Sequence, residues 1–74
     1  MKVKVTLDSS GRRGKKVSVV TGITHNPQVI ETLTMNLKKA CGAGGTIKGK
    51  TIEIQGDHVA KIKKYLEKDG YNVA

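Results

Sequence analysis

Positions 11–16 read GRRGKK, placing four cations and two glycines between two runs of alternating apolar residues. On one side Val3, Val5 and Leu7 alternate with Lys2, Lys4 and Thr6; on the other, Val17 and Val19 resume the alternation. Period two with one apolar face describes a half-exposed strand. A glycine-bounded break between two such runs describes a β-hairpin. The chain must therefore build a sheet, and that sheet must carry a strongly cationic connection.

Two features extend the hairpin. Ser18 and Val20 lie on the face opposite Val17 and Val19, so the second strand becomes apolar on both faces, as a central strand does. Asn26-Pro27 then starts a helix, with Asn as N-cap and Pro at the first position, where its missing N–H is not needed. Val29, Ile30, Leu33, Leu37, Ala40 and Cys41 form its apolar stripe, with Met35 on the polar side. Gly42 ends this helix.

Two short strands, Thr46-Ile47-Lys48 and Thr51 to Gln55, flank Gly49-Lys50, a pair suited to a primed two-residue turn. Asp57 is read as the N-cap of a second helix that buries Val59, Ile62 and Leu66 and ends at Gly70. Tyr71 and Val73 form a last short strand. The order ββαββαβ gives an α+β fold: a two-layer sandwich, with a mixed five-stranded sheet and two helices on one face. At 74 residues the chain is a single domain, residues 1–74.

Charge bears on partners. Fourteen Lys and Arg against six Asp and Glu give +8, which favours a polyanion. The only aromatics are Tyr65 and Tyr71, too few for the stacking platforms that grip single strands. Phosphate contact to folded RNA fits better, and arginines fork onto phosphate oxygens. No apolar run is long enough to span a bilayer, and the alternating N-terminus lacks a signal-peptide apolar core. A single cysteine points to a cytoplasmic setting.

Several chemical readings are weaker. The letters GRRG match the glycine-x-x-glycine clamp of KH domains, but that clamp lies between helices and this one between strands. Gly42-Ala43-Gly44-Gly45 resembles a phosphate loop in composition, but it follows a helix and opens a strand, the reverse of the required order. Asp57-His58 are adjacent and do not make an acid–base pair. One Cys with His25 and His58 falls short of a zinc set, and Cys41 sits on the buried stripe as a small apolar residue. No metal or other cofactor and no catalytic residue is expected. The candidate RNA-binding residues are Gly11, Arg12, Arg13, Gly14, Lys15 and Lys16, extended by His58, Lys61 and Lys64.

Three blocks resemble the translation initiation factor one family of eukaryotes and archaea, which has bacterial members. They are GRRGKKVSVVTGI at 11–23, CGAGGTIK at 41–48 and IEIQGDH at 52–58, the last being the most specific. The resemblance implies a non-enzymatic factor that binds the small ribosomal subunit and influences start-codon selection, with the basic hairpin on ribosomal RNA. It further implies contact with initiator tRNA and other initiation factors, no membrane association and a monomer. Gln55, Gly56, Asp57 and His58 match the family signature at the second helix start. Val59 departs from it, standing where many prokaryotic relatives are expected to carry Arg. Two rival readings stay open on the residues alone. One is a general basic RNA- or DNA-binding module. The other is a small acyl-phosphate hydrolase, for which no nucleophile–base pair at local spacing is present.

Overall fold

The computed structural model describes residues 2–9 and 16–73. The elements are β1 (Lys2–Asp8), β2 (Val17–Thr21), α1 (Pro27–Cys41), β3 (Gly45–Lys48), β4 (Thr51–Gln55), α2 (Val59–Lys68) and β5 (Asn72–Val73). The expected ββαββαβ order is borne out. The sheet runs β3-β4-β2-β1-β5, so β2 is central, as its two apolar faces suggest. β5 pairs parallel to β1 and the remaining pairs are antiparallel, which makes the sheet mixed.

The register decides what faces the helices. Val5 pairs with Val20 and Val20 with Ile52, so these side chains form one row across the sheet. That row, with Val3 and Ile54, packs against Ile30, Leu33 and Leu37 of α1 and Ile62 and Leu66 of α2. α1 lies over β3 and β4, while α2 lies over β1 and β5.

The register settles one point that the sequence left open, and two details depart from the sequence reading. In β2 it is Ser18 and Val20 that face the helices, while Val17 is buried on the opposite face between Asp8 and Gln55. Leu7 shares the inward row but pairs with Ser18 at the end of the sheet, where the core stops, and is 41% exposed. In α1 the stripe is rotated: Val29 is exposed and Thr34 is buried. The Thr34 hydroxyl donates to the Ile30 carbonyl at 2.7 Å, so burial leaves no unpaired oxygen.

The helix ends follow their sequence signals with one correction. Asn26 caps α1, its Oδ1 accepting from the Val29 N–H at 3.0 Å. Gly42 takes a left-handed conformation, and the N–H groups of Gly42 and Ala43 turn back onto the carbonyls of Lys39 and Lys38. The same pattern closes α2 at Gly70 and Tyr71, onto Glu67 and Leu66. At the start of α2 the cap position belongs to His58, not Asp57, and no side chain caps it. The N–H of this cap residue donates to the Ser18 hydroxyl of β2 at 2.8 Å, so it is satisfied from outside the helix. Among the described residues no helix is long and apolar enough to cross a membrane.

Candidate nucleic-acid interface

The three sequence blocks meet at one end of the sheet. There β1 ends at Asp8, β2 begins at Val17 opposite Gln55, and β3 begins at Gly45 opposite Ile54. The β1–β2 connection, which carries the basic stretch, leaves the sheet at this end. So do the C-terminus of α1 and the N-terminus of α2.

Backbone hydrogen bonds tie these parts together. The Gly56 N–H donates to the Lys16 carbonyl at 2.8 Å, joining the β1–β2 connection to the turn before α2. Ser18 is fully buried, and its hydroxyl serves both sides of that turn. It donates to the Gly56 carbonyl at 2.8 Å and accepts from the His58 N–H at 2.8 Å. The Gln55 N–H donates to the Gly44 carbonyl at 2.9 Å, which anchors the loop after α1.

The turn at Gly56 favours glycine through its backbone, and a side chain there would also have to displace the His58 ring. Its φ is +95°, in the left-handed region, and a Cβ there would stand 2.8 Å from His58 Nε2. The imidazole therefore folds back over the turn and is half-buried. Gly45 has a different constraint. A Cβ would stand 2.9 Å from the Glu53 carbonyl oxygen and 2.7 Å from Ile54 Cδ1, so the backbone can pass close only without a side chain.

Cations outnumber acids at this end, where Asp8 and Asp57 also stand. Lys38 and Lys39 occupy the last turn of α1 and are exposed, as are Lys16 and Lys61. Burial pushes the Cys41 thiol up, and the Lys61 ammonium partly offsets this, so Lys61 stands close to the end of α1. The N-terminal end of α2 adds its partial positive charge. The loop at 42–45 presents the C-terminus of a helix, whose free groups are carbonyls, so it does not cradle an anion.

Of the candidate residues, Lys16, His58 and Lys61 come together at this end. Lys64 lies one turn further along α2, on the same exposed stripe as Lys61. Gly11, Arg12, Arg13, Gly14 and Lys15 lie outside the described residues. Sequence reasoning missed Lys38 and Lys39, because their closeness to the other cations depends on how α1 ends against α2. It also missed Ser18, which reads as an ordinary polar position in a strand. Among the described residues no group of three His, Cys, Asp or Glu is placed to hold a metal ion.

The family model described as Translation initiation factor SUI1 matches residues 1–72. The chain belongs to the SUI1 family. A SUI1 domain thus accounts for nearly the whole sequence. YciH of Salmonella typhimurium is 45% identical over 71 residues, covering 96% of this chain and 66% of the relative. A protein translation factor SUI1 homolog of Thermoplasma volcanium is 42% identical over 73 residues, covering 97% of this chain and 72% of the relative. A protein of Haemophilus influenzae is 41% identical over 71 residues, 96% of this chain and 67% of the relative. The chain spans about two thirds of the length of the bacterial relatives. The SUI1 family is one of translation initiation factors, not of enzymes.

Proposed function

We propose that this SUI1 domain binds the small ribosomal subunit through phosphates of folded ribosomal RNA and so influences start-codon selection. It acts without catalysis, in the cytoplasm and as a monomer. The contact surface is the cationic end of the sheet: Arg12, Arg13, Lys15 and Lys16 of the β1–β2 connection, joined by His58, Lys61, Lys38 and Lys39. Lys64 extends it along α2. Initiator tRNA and other initiation factors are its neighbours on the subunit.

The observation that carries this reading is the bond between Gly56 N–H and the Lys16 carbonyl, with Ser18 bridging Gly56 and His58. These bonds hold the last residue of the basic stretch beside the start of α2. Cations that are distant in sequence then form one surface, able to meet several phosphates of a rigid RNA at once. The scarcity of aromatics and the charge of +8 support backbone contact over base readout.

Co-sedimentation with purified small and large subunits tests the reading. Wild-type protein is expected to pellet with small subunits, and Arg12→Ala with Arg13→Ala to remain in the supernatant at moderate salt. Equal pelleting of both proteins would remove the basic stretch from the contact. Equal competition by bulk duplex DNA would instead identify a general basic module.

A further inference from the structure

β3 is an edge strand, with no strand on its outer side among the described residues. An exposed edge offers a row of backbone donors and acceptors to an incoming strand. Here a helix overhangs that edge. Glu31, Met35 and Lys38 of α1 face Gly45, Thr46 and Ile47 across a groove of about 450 Å³. Met35 is 57% exposed, the most exposed large apolar residue among those described, and Ile47 is half-buried at the margin of the core. The Lys38 stem lies over Gly45, with Cγ 3.2 Å from where a Cβ would stand, and so closes one end of the groove.

We infer that the β3 edge and the α1 overhang together bind an extended peptide of a partner protein, added as a sixth strand with alternating apolar and acidic side chains. A free edge supplies the main-chain hydrogen bonds, and a flanking groove selects alternate side chains; these are the two parts of strand addition. The pattern follows from the register. Gly45 and Ile47 point to the helix side, opposite Ile54 and Ile52, so every second residue of the added strand meets Ile47 and Met35. The remaining residues share the open face with Thr46 and Lys48.

Charge selects the acidic partner. Lys48 lies on the open face that the acidic residues share, and Lys50 follows it in the turn; Lys38 lies on the groove side, at the other end of β3. Glu31 is the acid lining the groove, and Glu53 already lies 3.8 Å from Lys48. A second copy of this chain is a poorer occupant, because each copy carries +8.

The probe is a synthetic seven-residue peptide alternating valine and glutamate, titrated into the 15N-labelled full chain. Amide signals of β3 and of Met35 are expected to shift. N-methylation of alternate peptide amides, which removes donors without changing side chains, should weaken binding by about tenfold or more. Replacing glutamate by lysine should weaken it comparably. Met35→Asp should also weaken it, while small-subunit co-sedimentation stays unchanged. Since Met35 is exposed, this variant is expected to fold. The inference is overturned if the peptide shifts no β3 signal at roughly millimolar concentration, if the N-methylated peptide binds as well as the parent, or if the shifts map to α2. It is also overturned if the free protein already pairs with itself through β3 in sedimentation experiments. Loss of ribosome binding would leave these peptide results unaffected, so the two readings fail separately.

Discussion

His58 donates its backbone N–H to the hydroxyl of Ser18, 40 residues earlier in the chain, at 2.8 Å. The same oxygen donates to the Gly56 carbonyl at 2.8 Å, so one buried hydroxyl spans the turn that starts α2. It satisfies the N–H of the cap residue, one of the four that a helix leaves open at its start. It also means that the first turn of α2 is positioned by the central strand and not by its own sequence.

Ser18→Ala should therefore cost more than a typical serine truncation. It leaves a donor and an acceptor without their partner in a part-buried site, a loss of about 2–3 kcal/mol in chemical denaturation. Ser18→Thr keeps the hydroxyl and should retain more of that stability. A loss below about 0.5 kcal/mol for Ser18→Ala would show that water replaces the hydroxyl.

The glycine turns separate backbone strain from steric conflict. Gly49 has φ +62° with nothing within 4 Å of where a Cβ would stand, so Gly49→Ala should cost only the left-handed penalty, about 1 kcal/mol. Gly56→Ala meets the His58 ring as well and should cost about 2–3 kcal/mol. Thermal melts of the two variants side by side check the order, and equal costs would mean that the ring swings aside freely.

Single lysine replacements map the cationic end. If Lys61 and Lys39 each touch one phosphate, Lys61→Ala and Lys39→Ala should each lower the logarithmic salt slope of small-subunit binding by about 0.7–0.9. Lys64→Ala, one turn further from the sheet end, should lower it less. Equal slopes for all three would spread the contact along α2 instead of centring it on the end of the sheet.

Cys41 reports on the packing of the two helix ends. Burial raises its thiol pKa and the Lys61 ammonium lowers it, with burial prevailing. Alkylation at mildly alkaline pH should be slower than for a free thiol, and slower again in Lys61→Ala. The sign for stability follows. A raised pKa favours the neutral folded form, so this contribution is complete below the ordinary thiol value and fades as pH climbs through the raised one. Faster alkylation in Lys61→Ala would contradict the closeness of Lys61 to the end of α1.

Local chemistry was enough to read most of the fold. The alternation of Val3 and Val5, the Asn26-Pro27 start, Gly42 and Gly70 at the helix ends, and the Gly49-Lys50 turn all act within a few residues. Backbone sterics and nearest-neighbour hydrogen bonds therefore write them directly into the sequence. The central place of β2 was legible too, since two buried faces require apolar residues on both.

What local chemistry could not decide was everything set by contact across the sheet. Both faces of β2 carry valine, and only the pairing of Val5 with Val20 and of Val20 with Ile52 turns Val20 to the core and Val17 away from it. A one-residue choice of register exchanges the two faces, and nothing within five residues of β2 specifies it. Asp57 is a good cap by type, yet the helix starts one residue later, with His58 at the cap position and its N–H on Ser18. The grouping of Lys16, Lys38, Lys39 and Lys61 at one end likewise depends on where the ends of α1, α2 and the strands come to rest. By itself the sequence determined the elements, their order and the excess of positive charge. The tertiary structure alone decided which cations share a surface, because bonds between distant residues such as Ser18 and His58 exist only once the sheet and helices have packed.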